Sequence, residues 1–341
     1  MAWIEKLHQT YENCADKIEP VGNHLWPVSH MLKRAHVEVA IDSQGKFRRV
    51  RVLTRLEART LIPTTEKSAG RTGSADEPHP LCDELSYCAK DMPGAKALRF
   101  DAYKELLSRW ASLSGHTKAK AILAYVSGGF LWADLNKSCI FPVSVEDAKG
   151  RKTKIADAKV FVRWVVEEPE NPCAASWEDK SLVESWIRFH GSHVWREDFC
   201  MVTGGRVRVA QNHPKSIRFP GDGAKLISTN DSVGYTFRGR FTDGDRDYGK
   251  QAYSVSYEVS QKAHSALRWL IERQGYIDHE SGQTIVAWAV AGKPIPDPWK
   301  DTLALILGSG EDANIPGQGE TGLSGDAGQS FALRLTQAMQ G

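Results

Sequence analysis

From His36 to Leu53 apolar and polar side chains alternate. Val37, Val39 and Ile41 share one face, Asp42-Ser43-Gln44-Gly45 is a turn signal, and Phe47, Val50 and Val52 follow it. Successive side chains of a strand point to opposite faces, so this period of two predicts a β-hairpin. A third apolar run, Leu56 to Pro63, leads into Thr64 to Pro80. There Gly70, Gly73, Pro78 and Pro80, mixed with Ser and Thr, predict a long loop without regular structure. Long loops inside compact domains are usually functional or disordered, which makes this one a first candidate for ligand contact.

From Phe100 the period becomes helical. Phe100, Tyr103, Leu106, Leu107, Trp110 and Leu113, then Ile122, Leu123 and Val126, predict two packed helices. Lys159 to Glu168 reads as a β-branched strand, Trp177 to Phe189 as a helix, and Phe199 to Val209 as strand-like around Gly204-Gly205. Ser254 to Arg273 is the strongest helical segment, and Gln283 to Val290 reads as a buried strand. Helices and strands mix irregularly, which predicts an α+β fold with β-hairpins and several helices rather than a doubly wound sheet.

The expected organisation is an amino-terminal α+β region, 1–150, with the hairpin and the loop 64–80, and a second α+β region, 151–291. A flexible linker, 292–330, and the start of a carboxy-terminal helical region, 331–341, follow. One short helix is marginal without packing partners, so the chain is expected to lack a continuation that docks on it.

With 341 residues, 41% apolar and 25% charged, the chain has room for two domains of ordinary size, and its composition excludes disorder for most of it. The opening MAWIEKLHQTYENC has no basic start followed by an apolar core, and no stretch approaches the roughly 20 apolar residues of a membrane helix. A cytoplasmic protein without membrane association is expected. Cys14, Cys82, Cys88, Cys139, Cys173 and Cys200 are scattered with no CxxC pair, so reduced thiols are expected, with Cys82 and Cys200 read as packing residues. The net charge of +2 does not advertise a nucleic-acid binder. Locally, however, Arg206, Arg208, Lys215, Arg218 and Lys225 stand against Asp222 alone between Cys200 and Lys225, which reads as a solvated loop or as a phosphate-facing stretch.

His190 and His193, followed by Glu197 and Asp198, are the nearest approach to a metal pair. Their spacing across Gly191-Ser192, at the end of a predicted helix, favours a capping or surface role. His79, Cys82 and Cys88 have no fourth zinc ligand at a useful spacing, and Gly70-Arg71-Thr72-Gly73-Ser74 lacks the frame of a phosphate-binding P-loop. No nucleophile elbow or carboxylate pair emerges. No catalytic residue, metal or cofactor is therefore nominated, and nothing in the residues forces an enzyme reading.

Ile62-Pro63-Thr64-Thr65-Glu66-Lys67-Ser68-Ala69-Gly70-Arg71-Thr72-Gly73, followed by Pro78-His79-Pro80-Leu81-Cys82-Asp83, resembles the amino-terminal signature of the large subunit of the type I-C CRISPR Cascade complex. Cys200-Met201-Val202-Thr203-Gly204, His213-Pro214-Lys215 and Leu226-Ile227-Ser228-Thr229-Asn230 resemble its central motif. Trp3-Ile4-Glu5-Lys6-Leu7 with Tyr11, and Thr284-Ile285-Val286-Ala287-Trp288-Ala289, resemble two further elements, so the likeness spans nearly the whole chain. The resemblance implies that family members continue into a carboxy-terminal helical bundle, before which this chain is expected to stop.

The resemblance also implies a subunit that binds without cutting. It would sit at the end of the complex carrying the 5′ handle of the CRISPR RNA, beside the backbone, handle-binding and small subunits. It would check double-stranded target DNA for a protospacer-adjacent motif, help open it, and recruit a separate helicase-nuclease. On that reading Lys67 and Arg71 neutralise phosphates, with Ser68, Thr72 and Ser74 adding neutral hydrogen bonds. Gln211, Asn212 and Asn230 are the candidate base readers, Asn230 being equally readable as a turn residue, and Arg206, Arg208, Lys215 and Arg218 are positioning contacts. The alternatives are a metal-dependent nucleic-acid hydrolase using His190, His193 and Asp198, and a structural scaffold subunit.

Overall fold

The predicted hairpin is present, and its first strand is the centre of the larger sheet. In the computed structural model, which describes residues 2–15, 25–71, 76–146, 150–193, 195–219, 222–223, 226–227, 254–278 and 282–288, β2 (Val37–Asp42) pairs antiparallel with β3 (Phe47–Val52). On its other side β2 pairs in parallel with β7 (Val162–Glu167). Val37, Val39 and Ile41 are fully buried. The turn closes because Asp42 Oδ1 accepts from the amides of Gln44 and Lys46, at 2.9 Å each, while Gly45 takes a φ of +77° open to glycine. The sheet thus joins residues on both sides of position 150 in one core.

The third apolar run forms β4 (Arg59–Pro63). It leaves that sheet to pair with β1 (His30–Arg34) instead. The expectation of an irregular 64–80 is corrected at its start, where Glu66–Gly70 is a short helix, α2. Thr65 and Ser68 form a reciprocal capping box there, each side-chain oxygen accepting from the other's amide at 3.0 Å. Its length was too short to leave a periodic signal.

The helical predictions at 100–126 hold as α4 (Ala97–Ser114) and α5 (Thr117–Gly128), with the one-turn α3 (Leu85–Cys88) before them and α6 (Leu131–Lys137) after. Phe100, Tyr103, Leu107 and Trp110 are buried. Leu113, assigned to the same stripe, is 75% exposed, because the chain reverses through Gly115 (φ +69°) just beyond it. The hairpin β5 (Ser144–Glu146) and β6 (Lys152–Lys154) precedes β7.

α7 (Lys180–Gly191) is capped by Asp179, which accepts from the amides of Ser181 and Leu182 and binds the buried ammonium of Lys118. Trp110, Trp164 and Trp186 belong to one core, Trp110 edge-on to Trp186 and Trp164 to Tyr125, with every indole N–H paired. Trp110 donates to Ser185 Oγ (3.0 Å), Trp164 to Leu81 O (2.9 Å), and Trp186 to Ser29 O (3.2 Å) and Thr64 O (3.3 Å). Full burial of a large apolar side chain stabilises by roughly 1.5–3 kcal/mol, so these rings are principal anchors.

The strand-like 199–209 segment is a small hairpin, β8 (Glu197–Phe199) and β9 (Arg206–Arg208), turning through Gly204 (φ +73°), and the strong helix is α8 (Tyr257–Gln274). Of the buried strand expected at 283–290, the described residues, which end at 288, hold Thr284–Ile285, β11. It is half-buried and paired with β10 (Tyr276–Ile277). Together these elements make an irregular α+β fold.

Two compact units are resolved, one within Trp26–Lys215 and Lys225–Lys262, the other within Met1–Leu25, Ser216–Ala224 and Ala263–Gly341. The second holds α1 (Ala2–Cys14), which buries Ile4 and Leu7 and accepts at Thr10 Oγ1 the indole N–H of Trp288 (3.0 Å). The regions expected as linker and terminal helix, 292–330 and 331–341, lie outside the described residues. Among those described, no helix is long and apolar enough to cross a membrane.

Candidate nucleic-acid interface

The two segments singled out in the sequence, 62–83 and 200–215, are in contact, and one carboxylate joins them. Glu66, in the first turn of α2, is buried and accepts from the backbone amides of Gln211 and Asn212 (2.5 Å to the latter) and from Arg208 Nη2 (3.2 Å). Burial pushes the Glu66 carboxyl up, against the pull of those donors. Lys215 reinforces the junction, with Nζ 3.5 Å from the carbonyls of both Gly70 and Arg71.

The loop itself is held from inside. Arg71 forms a bidentate pair with fully buried Asp83 and donates to Glu77 O (2.9 Å). Its guanidinium lies 4.2 Å over the Tyr87 ring. Asp83 also accepts from the amides of His79 and Glu84, each at 2.7 Å. Ser68 is 1% exposed and, besides its cap, lies 3.1 Å from His79 Nδ1.

Arg208 is enclosed on both faces. Its guanidinium sits 3.4 Å from the Trp195 ring centre and 3.6 Å from that of Tyr257. Tyr257 Oη is 3.0 Å from Ser29 Oγ, which is 3.0 Å from His190 Nδ1, and Trp195 donates to His190 O at 3.1 Å. Burial, then the charge of Arg208, brings the His190 imidazole down to about 3. Burial likewise brings His30 to about 4.

These contacts change the roles read from the sequence. Ser68, Arg71 and Arg208 are engaged within the chain, by Thr65, Asp83 and Glu66 respectively. Arg218 belongs to the other unit, bound to Asp222 (2.9 Å) and to Gly282 O (2.6 Å). Lys67 is exposed, 3.6 Å from Glu77, and Arg206 and Gln211 are exposed. Asn212 and Lys215 are half-buried. Thr72, Ser74 and Asn230 lie outside the described residues.

The nominated metal ligands do not converge. His190 directs Nδ1 to Ser29, His193 directs its own to Phe189 O (2.9 Å), and Asp198 faces Arg196. Cys82 and Cys88 are buried, the Cys82 thiol pushed up to about 12 by burial, and Cys88 donates to backbone carbonyls. Among the described residues no group of three His, Cys, Asp or Glu could hold a metal ion.

The family model described as CRISPR-associated protein (Cas_Csd1) matches residues 7–340. The chain belongs to that family. No curated protein matches it. Membership in Cas_Csd1 bears out the resemblance to the type I-C large subunit and makes the chain a CRISPR-associated large subunit, part of an effector complex with other Cas subunits.

Two features of the junction in this Cas_Csd1 chain carry no signal in the sequence. Glu66 is a single carboxylate in a short helix and leaves no periodic signal. Lys33 on β1 is a half-buried lysine whose pKa is lowered by burial and then by the charges of Arg71 and Lys215, so it adds a cation beside the junction.

Proposed function

We propose that this Cas_Csd1 chain is the non-cutting, nucleic-acid-facing large subunit of its complex. In this reading it sits by the CRISPR RNA 5′ handle and reads a protospacer-adjacent motif in duplex DNA. It then supports strand opening and helps recruit a separate helicase-nuclease. The observation that carries the reading is Glu66: it joins the two family segments, Lys67 lying in the first and Arg206, Gln211, Asn212 and Lys215 in the second, with Lys33 of β1 beside them.

The lysines and Arg206 supply phosphate contacts, each worth roughly 0.9 in the slope of log affinity against log salt on duplex DNA. Gln211 and Asn212 present the donor and acceptor pairs that base edges require, with Asn230 as a third candidate. Their backbone is fixed by Glu66, and a fixed backbone is what directional readout needs. No observation favours the hydrolase alternative, since its nominated imidazoles are engaged elsewhere.

The test is reconstitution with guide RNA and binding to target duplexes with intact or scrambled flanks. Lys67→Ala/Lys215→Ala should weaken all duplexes alike, and Gln211→Ala/Asn212→Ala should erase the preference for the intact flank. A wild-type complex without flank preference, or one in which neither variant changes binding, overturns the reading. Normal assembly with lost DNA binding in the lysine variant excludes the pure scaffold.

A further inference from the structure

The densest run of cations in the chain lies elsewhere. Between 46 and 59, Lys46, Arg48, Arg49, Arg51, Arg55 and Arg59 stand against Glu57 alone, and all six are exposed. They lie on β3, in the turns on either side of it and at the first residue of β4. Across a groove of about 420 Å³ lies the β5–β6 hairpin with exposed Arg151, Lys152 and Lys154. Thr54, Arg55 and Leu56 line one wall, and Ser144, Glu146 and Lys152 the other.

Some of this charge is neutralised internally. Arg48 pairs with Asp42 (3.0 Å), Arg49 with Glu167, and Arg51 with Glu38 (2.7 Å) and Glu57 (2.5 Å). Lys46, Arg55, Lys152 and Lys154 form no ion pair among the described residues. All four face solvent, and Arg55 and Lys152 do so from opposite walls of the groove.

The two edges of the sheet differ as well. The outer edge of β7 is covered by 174–176, with Val166 donating to Ala174 O (2.9 Å) and Ser176 to Trp164 O (3.2 Å). β3 has no strand on its outer side among the described residues. From Lys46 to Arg51 is on the order of 16 Å of extended chain, the axial length of about five phosphates on one strand of a duplex. Leu56, 92% exposed, and Val52, 40% exposed, put apolar surface beside the cations. That combination suits a backbone with sugar faces better than bulk solvent.

We propose that β3, its following turn and the β5–β6 hairpin form a second, sequence-independent binding surface for a nucleic-acid phosphodiester backbone. It shares no residue with the Glu66 junction and rests on the proposed function only in taking nucleic acid as the ligand class. An RNA strand and a DNA duplex offer the same phosphate chemistry, and the test separates them.

The full chain is titrated with a short single-stranded RNA and with a duplex DNA of equal length lacking any flanking motif, each across a salt series. Arg55→Glu/Lys152→Glu/Lys154→Glu should lose about tenfold affinity on the preferred ligand. Its salt slope should be shallower by about 2–3, at roughly 0.9 per duplex contact or 0.7 per single-strand contact, with thermal unfolding unchanged. Wild-type affinity and slope on both ligands in this variant would mean a solvated face and overturn the inference. Equal loss toward polyglutamate would mean a general polyanion surface and likewise overturn it. If the triple variant behaves as expected while the reconstituted complex shows no flank preference, this surface stands and the reading of the Glu66 junction falls.

Discussion

Two basic regions of this chain resemble each other in sequence and differ in what their cations do. In the Glu66 junction Arg71 and Arg208 are enclosed, paired with Asp83 and Glu66 and packed on Tyr87, Trp195 and Tyr257. Along β3 and the β5–β6 hairpin the cations are exposed, and four form no ion pair among the described residues. Guanidinium groups in the first region are structural members that position a backbone, whereas in the second Lys46, Arg55, Lys152 and Lys154 stand in solvent with no ion pair among the described residues. Charge density along a sequence does not distinguish the two, because the distinction lies in burial.

Substitution should expose that difference in stability before it does so in binding. Asp83→Ala leaves Arg71 buried and unpaired, and breaking a buried pair costs about 3–5 kcal/mol, to be read from the denaturation midpoint. A loss no larger than that of a surface substitution would erase the contrast. Glu66→Ala strands the amides of Gln211 and Asn212, at about 1–3 kcal/mol, and should make the 205–215 segment more sensitive to limited proteolysis.

A pH series sharpens the comparison further. His190 and His30 have folded pKa values of about 3 and about 4, below the ordinary 6.5, so the unfolded chain takes up their protons first. Stability is then fully present above pH 6.5 and is lost as the pH falls toward these values, by at most about 1.4 kcal/mol per pH unit for each histidine. His190→Gln should flatten the dependence of melting temperature on pH between 6.5 and 4. The smallest effect is expected at the other region, where Arg55→Ala/Lys152→Ala should leave stability within about 0.5 kcal/mol.

Much of the fold was legible because it is periodic. The alternation from Val37 to Val52 fixed a hairpin, and the 3.6-residue spacing from Phe100 to Val126 fixed two helices. What escaped was short or relational. α2 has five residues, too few for a hydrophobic stripe, and its cap of Thr65 and Ser68 read instead as loop polarity. Ser68, Arg71 and Arg208 lie in the segments that carry the family resemblance, but the sequence could not show that Asp83, Glu66 and an aromatic box enclose them, since those partners come from distant positions. The arginines of β3 were passed over for the opposite reason: the apolar half of the alternation drew the reading to the core and away from the exposed half.

The approach of the hairpin tip to α5 bears on where the molecule tolerates a label. A side chain at Gly45 would bring its Cβ to 2.6 Å from Ala121 O and 2.9 Å from Ala124 Cβ, so this turn is a seated joint despite its polar sequence. An inserted tag or a dye-bearing residue there would prise β2 and β3 from the helix. The next turn along the chain, where Leu56 stands almost wholly in solvent, accepts a fluorophore without disturbing any packing, and it does so on the rim of the groove whose occupancy is in question.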